Sequence, residues 1–378
     1  MKNDKRKGEN VRMWLFLFGV ALLLALAGLG YLLVCFHRFS FLAKLGAAHP
    51  ALSWLCALAC VAALGLFARI NVPTMIVVLL HLAAAFMLCA GLAALIKALT
   101  GYAVPYDWRG ACALLLTAAY LTFGWFAAHN VTETDYAFQT DKPVGRSLRI
   151  AMIADAHLGV TLDGESFARE LEKIQSAEPD LLVIVGDFVD DDSSRADLLG
   201  ACEALKHLKT RYGVFYVHGN HDRGYFTSRD FSAGQLKQTL IDSGVTVLED
   251  EIVHIGAGYT LIGRRDRSDS ARQEMAALTA GLDASKYWIV LDHQPNDYDA
   301  EAAAGADLVL SGHTHGGHMF PAGQLGLWMG ANDFNYGATA RGKTNFVVTS
   351  GISGWAIPFK TGTRSEFVVI DILPREGA

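Results

Sequence analysis

The chain has 378 residues, 52% apolar and only 19% charged, and its net charge of −6 conceals two unlike parts. Residues 1–128 hold 10 Lys/Arg against 3 Asp/Glu, whereas residues 129–378 hold 22 against 35, so a basic, apolar part precedes an acidic one. That contrast excludes a wholly soluble protein, and the acidic part is long enough to bury a core of its own. Four uncharged apolar runs come first, over residues 13–35, 51–68, 72–96 and 110–128. Each has about the 17–25 residues that cross a hydrocarbon core at a helical rise of 1.5 Å. The first exceeds the h-region of a cleavable signal peptide, and three more runs follow it. A four-helix transmembrane region over residues 1–128 is therefore expected, its second and third spans joined through Arg69-Ile70-Asn71 as a tight antiparallel hairpin.

Lys and Arg near the span ends set the expected orientation. Lys2, Lys5, Arg6, Lys7, Arg12, Arg69, Lys142, Arg146 and Arg149 fall on one side, against Arg38, Lys44, Lys97 and Arg109 on the other. The excess puts both termini, and with them the acidic part, in the cytoplasm, with the basic tail against anionic lipid. His81 is the strongly polar ring inside a span, and with no acidic partner in any span it reads as a helix-packing hydrogen bond. Five of the six cysteines lie in the apolar part and Cys202 is alone in the acidic part, so no disulfide framework or zinc ribbon is available there. A metal site would have to use His, Asp, Glu or Asn.

After a polar linker over residues 129–147, short apolar runs alternate with helical stretches. Strands are expected over residues 148–154, 181–185, 214–217, 288–291, 308–310, 346–349 and 366–370, and helices over 166–176, 196–210, 235–242 and 270–281. Such alternation argues for a layered α/β domain over residues 148–378 with chemistry at the strand ends. The strands run into Asp155-Ala156-His157, Gly186-Asp187-Phe188-Val189-Asp190, His218-Gly219-Asn220-His221-Asp222, Asp292-His293 and Ser311-Gly312-His313-Thr314-His315. Oxygen and imidazole donors thus recur at one sheet edge. Two divalent cations about 3.5–4 Å apart need a shared anionic bridge and further neutral and anionic donors. Asp187 can bridge, while His and Asn complete each shell. Donors of this kind without thiolate suit Mn²⁺, Fe or Zn²⁺. Asp190 reads as orienting its loop or a ligating His rather than binding metal. His254 reads as an exposed strand position, and Arg264, Arg265 and Arg267 as either a phosphate-neutralising or a solvated cluster.

These blocks in this order resemble the calcineurin-like metallophosphoesterases over residues 148–372, and within them the bacterial membrane-associated branch. Leu310–Gly317 (LSGHTHGG), Val290–Pro295 (VLDHQP) and Thr349–Glu366 carry the likeness. The resemblance implies a four-layer αββα sandwich with a dinuclear centre, Mn²⁺ favoured. One ion would be held by Asp155, His157, Asp187 and His315, and the other by Asp187, Asn220, His293 and His313. It implies in-line attack on phosphorus by a metal-bridging hydroxide, with His221 as proton donor or charge stabiliser and Asp222 fixing its ring. His318 departs from the branch's pattern and is a candidate substrate contact. The expectation is a membrane-anchored phosphohydrolase of a bacterial cell membrane acting on a phosphomonoester, phosphodiester or pyrophosphate, lipid-linked substrates included. The alternative is a non-catalytic membrane sensor of metal or a phosphorylated ligand. Nucleic acid is not the expected partner of a part carrying −13 with no basic stripe.

Overall fold

The computed structural model describes residues 2–226, 228–320 and 322–375, without the side chains of residues 2–18, 21 and 322. The side chains of the basic tail (Lys2, Lys5, Arg6, Lys7, Arg12) and the start of the first expected span thus lie outside the described residues. The chain divides into two units, residues 1–123 and 124–378.

The first unit is helical because its sequence is apolar. Helices α1 (Lys2–His37), α2 (Ser40–Ala48), α3 (Pro50–Ala63), α4 (Val72–Thr100) and α5 (Tyr106–His129) follow one another, and the end of α5 belongs to the second unit. The Asn71 side chain accepts from Thr74 N at 2.8 Å to start α4, and Gly101, in the left-handed region, closes it by donating to Lys97 O. Leu32, Val61, Leu79, Leu82, Phe86 and Ala113 form this unit's apolar centre. Among the described residues three helical segments, Pro50–Arg69, Val72–Thr100 and Tyr106–His129, are long and apolar enough to cross a membrane. Leu22–His37 and Ser40–Ala48, bent by 77°, add a fourth only if the pair is one span. His81 bonds Val77 O through Nδ1 at 2.7 Å and stacks on Tyr120, a packing role.

In the second unit, strands whose residues are all apolar become central, buried on both faces. One sheet runs β1 (Thr132–Thr140), β12 (Glu366–Pro374), β2 (Leu148–Ile153), β3 (Leu181–Val185), β4 (Val214–Val217), β5 (Val245–Leu248). The other runs β10 (Gly337–Arg341), β11 (Thr344–Val348), β9 (Leu308–Ser311), β8 (Tyr287–Leu291), β7 (Tyr259–Gly263), β6 (Glu251–Ile255). Both are mixed: β2 to β5 are parallel with β12 antiparallel to β2, and β7, β8, β9 and β11 are parallel with antiparallel β6 and β10 at the edges.

Side-chain alternation builds the layers. Ile150, Met152, Val183 and Val185 meet Leu261, Ile289, Leu291 and Leu310 between the sheets. Ala151, Ile153, Leu182 and Ile184 face outward onto Phe167 and Leu171 of α6 (Gly164–Ser176), Leu198 of α7 (Arg195–His207) and Leu236 of α8 (Ala233–Asp242). Ile262, Val290, Val309 and Phe346 cover the other side with Met275 of α9 (Met275–Leu278) and Tyr298 of α10 (Tyr298–Ala304). Each fully buried aliphatic side chain here contributes roughly 1.5–3 kcal/mol. Asp163 and Ser166 form a capping box that starts α6.

Two expectations are corrected. Residues 132–140, read as linker, form β1, because Tyr136 and Phe138 pack against the core while Glu133 and Asp135 stay outside. The helix expected over 270–281 shrinks to α9. The carboxylates of Asp266, Asp269 and Asp250 accept the backbone N–H groups of Ser268, Ala271 and Gln273 and hold that stretch in turns.

Candidate metal centre

Every donor lies just past the C-terminal end of a parallel strand: Asp155 and His157 after β2, Asp187 after β3, Asn220 after β4, His293 after β8, His313 and His315 after β9. Loop hydrogen bonds lock the ends together, Asp155 N donating to Gly186 O at 3.0 Å and Gly312 N to His293 O at 3.0 Å. The turns are tight. Among the described residues nine non-glycines have positive φ, and six of them are Asp155, His157, Asp187, His313, His315 and His318. Each such conformation costs of order 1–3 kcal/mol, so strain is concentrated at this edge. Gly219 lies so close to the Asp187 carboxylate that a Cβ would overlap it, and Gly186, at φ +80°, presses against the His293 ring.

Donor atoms gather in two groups, Asp155/His157/His315 and Asp187/His293/His313, each within 4.8 Å. Asp187 reaches both, since its Oδ2 stands 3.1 Å from His293 Nε2 and 3.8 Å from His157 Nε2. His157 Nε2 and His315 Nε2 face each other at 3.2 Å, a separation that requires a proton or a cation between them. Their other partners fix the ring orientations: Asp190 Oδ2 lies 3.3 Å from His157 Nδ1, and His293 Nδ1 donates to Val185 O at 2.8 Å. Asn220 donates through Nδ2 to Tyr225 Oη at 3.0 Å, which leaves its Oδ1 buried without a protein partner.

Protonation demands conflict when these groups are alone. Burial pushes the Asp155 carboxyl up to about 6, with Asp187 adding to the rise and His293 and His157 opposing it. Burial also opposes ionisation of Asp187, yet His293, then His221 and His157, hold its carboxyl well below the usual range. His293 is raised well above the ordinary imidazole value by Asp187, against burial, while burial and then His293 push His313 down to about 4. Buried lone pairs and carboxylates in such opposition fit divalent cations, which satisfy both. An orphaned amide oxygen in the same set is a further acceptor for them.

The sequence reading of two residues is corrected. Asp222 does not hold the His221 ring. Its Oδ2 accepts Asp187 N at 2.8 Å and Gly219 N at 2.7 Å, and its Oδ1 accepts Phe188 N and Val189 N. Arg264 is neither a phosphate contact nor solvated, being 1% exposed and paired with Asp292, Asp297 and Glu301. His221 donates its backbone N–H to Asp187 Oδ1, and its ring lies against His157, Tyr225 and Trp355. The His318 ring lies tilted against that of His315, centroids 5.2 Å apart, with a buried Nε2 lacking a protein partner. His254 is exposed on β6.

Two residues escaped the sequence reading. Lys360 is fully buried, and its Nζ donates to Ser350 O at 2.6 Å and Gly351 O at 3.1 Å, next to Asp155. Burial lowers its pKa to about 7, against the pull of Asp155 and Glu366. Glu366 accepts Ser350 N, Thr349 Oγ1, Thr134 Oγ1 and Tyr336 Oη. Both lie in the motif-bearing tail, but nothing local in that tail signals that a Lys and a Glu are interior.

An edge of convergent carboxylates and imidazoles on two stacked mixed sheets defines a metal-site class of α/β protein. Residues 148–317 match the calcineurin-like phosphoesterase family. An uncharacterized metallophosphoesterase of Aquifex aeolicus (strain VF5) is 31% identical over 245 residues, covering 63% of this chain and 90% of that one. An uncharacterized metallophosphoesterase of Helicobacter pylori (strain J99) is 32% identical over 239 residues, 62% of each chain. A transmembrane protein with metallophosphoesterase domain from Bos taurus is 30% identical over 281 residues, 68% of this chain and 61% of that one. The chain belongs to the calcineurin-like metallophosphoesterase family, and it spans about three fifths of the length of the Helicobacter and bovine relatives.

Proposed function

We propose that the chain is a membrane-anchored phosphohydrolase working with two divalent cations, Mn²⁺ favoured over Fe or Zn²⁺, on a phosphomonoester, phosphodiester or pyrophosphate, lipid-linked ones included. The anchor is read as four spans of a bacterial cell membrane, with the catalytic domain in the cytoplasm. The observation that carries the reading is the pair of donor groups that meet at Asp187. Asp155, His157 and His315 would hold one cation, Asn220, His293 and His313 the other, and Asp187 both. When bound, such cations supply charge neutralisation for a phosphoryl group and an acidified water at neutral pH.

The chain's own residues do the rest. Asp190 and Val185 O keep His157 and His293 turned with Nε2 inward. Asp222 pins the Asp187 loop to the Gly219 turn. His221, beside Trp355 and Tyr225 at the edge of the donor set, is the group for the leaving oxygen, as proton donor or charge stabiliser. His318, next to His315, is the candidate substrate contact.

The test is hydrolysis of p-nitrophenyl phosphate and bis-p-nitrophenyl phosphate by the full chain in detergent with Mn²⁺. Asp187→Asn is expected to lower kcat/KM at least roughly 10²–10³-fold, and a chelator to abolish activity reversibly. Equal rates for wild type and Asp187→Asn would leave the non-catalytic sensor as the better reading.

A further inference from the structure

Next to the metal donors, the second unit carries an apolar surface that is exposed among the described residues. Four residues after His315 the chain enters Met319–Gly330, which contains no charged residue although residues 129–378 carry −13. Its α11 (Leu325–Trp328) and the turn before it leave Phe320 63% and Trp328 73% exposed, with Leu325 and Met329 also exposed. The stretch is tethered at Gly323 to Asn335, whose carbonyl accepts Thr314 Oγ1 and whose Nδ2 donates to Gly323 O.

The same stretch is tied to the end of α5 through one loop, residues 359–365. On one side Thr361 N and Gly362 N each donate to His318 O at 2.9 Å, and Phe320 N donates to Thr361 Oγ1. On the other, Lys360 N donates to Gly124 O at 2.8 Å, Ser365 N to Ala127 O and Ser365 Oγ to Ala128 O. This end of α5 exposes Trp125 and Phe126, and α5 is one of the helices long and apolar enough to cross a membrane. The buried Lys360 ammonium bonds Ser350 O and Gly351 O, which anchors the loop beneath Asp155. A spanning helix end, an uncharged aromatic stretch and the metal donors are thus joined by one short, hydrogen-bonded connection.

Soluble proteins rarely leave so many apolar side chains of one uncharged stretch bare, and Trp and other aromatic rings beside a spanning helix are the side chains that settle at the lipid–water boundary. We propose that Phe320, Leu325, Trp328 and Met329, together with Trp125 and Phe126, are a footing in the lipid interface. It seats the metal site at the bilayer surface, so that the substrate is a phosphoester borne on a membrane lipid rather than one free in solution. The substrate part rests on the phosphohydrolase reading above; the footing itself does not.

The test uses the full chain in phosphatidylcholine/phosphatidylglycerol nanodiscs. The emission lost on Trp328→Phe isolates Trp328; it is expected to be quenched by lipids brominated high on the acyl chain and little affected by iodide. Quenching by iodide without bromolipid quenching overturns the footing, whether the patch is bare or awaits a protein partner. Activity is then compared on ethyl p-nitrophenyl phosphate in solution and hexadecyl p-nitrophenyl phosphate in the same lipid, which share one reacting group. Wild type is expected to favour the hexadecyl ester by about tenfold or more in kcat/KM. Phe320→Ser/Trp328→Ser is expected to lose that preference and keep the ethyl ester rate within about twofold, while Trp328→Phe retains the preference. An equal fall on both esters, or no preference in wild type, overturns the lipid-borne substrate. Bromolipid quenching with neither ester cleaved would instead retain the footing and sink the phosphohydrolase reading.

Discussion

Asp222 shows how one residue can serve the site without touching the reaction. Its two carboxylate oxygens accept four backbone N–H groups, those of Asp187, Phe188, Val189 and Gly219, and it is fully buried. An amide in its place would turn donors toward donors, at roughly 1–3 kcal/mol for each buried N–H left unsatisfied. Asp222→Asn is therefore expected to lower the thermal midpoint of the full chain in detergent, and to weaken Mn²⁺ binding by calorimetry, while the shape of the pH–rate profile stays as in wild type. If stability held and one limb of that profile vanished, Asp222 would be acting on His221 after all. The donors themselves were legible in sequence because Asp, His and Asn recur directly after apolar strands. The work of Asp222 was not, since a carboxylate next to a histidine in sequence looks like its partner, whereas chain direction after β4 turns it onto the backbone of another loop.

At the scale of elements, β7, β8 and α10 are held together by a buried ion network that also fixes the strand end bearing His293. Arg264 Nη1 lies 3.0 Å from Asp292, 2.7 Å from Asp297 and 3.2 Å from Glu301, and Arg272 pairs with Asp292 and Asp297. Burial opposes ionisation of Asp292, but Arg272 and Arg264 hold it down at about 2. Burial, followed by Asp292, pushes the Glu301 carboxyl well above its ordinary 4.5, against the pull of Arg264 and Arg272. An acid whose pKa is raised on folding binds more protons in the folded state once pH passes 4.5, so its contribution to stability falls as pH rises from there. Glu301→Gln, whose amide donates as the protonated acid does, is expected to gain stability relative to wild type as pH rises above 4.5. Arg264→Met, which strands buried carboxylates, is expected to cost about 3–5 kcal/mol. Denaturation midpoints of the full chain across that range check both, and a pH-independent Glu301→Gln difference would mean that Glu301 is ionised. None of this network is visible in the local pattern, where Arg264 simply follows a strand. The central strands were legible because two buried faces make an unbroken apolar run, as in Leu181–Val185. Strand β1 was not, because an edge strand alternates polar and half-buried residues in the manner of a linker.

For the whole molecule, the open question of sidedness meets the charge asymmetry between its parts. Nine Lys/Arg near the ends of the apolar runs against four favour a cytoplasmic second unit. That unit carries −13, so its charged surface is repelled by an anionic leaflet. The uncharged Met319–Gly330 stretch is the part that can approach the leaflet without that penalty, which makes the footing and the orientation compatible. Thiol labelling at Cys202 would serve poorly as a reporter, because that side chain is 1% exposed and burial raises its thiol to about 12. Glu172 on α6 is exposed, so a cysteine there is open to reagent without disturbing the core. In sealed cells, Glu172→Cys is expected to take up a membrane-impermeant maleimide, above the wild-type background, only after permeabilisation. Labelling in intact cells would place the catalytic unit outside. The Lys/Arg excess would then be outweighed, and the substrate would be one presented on the outer leaflet.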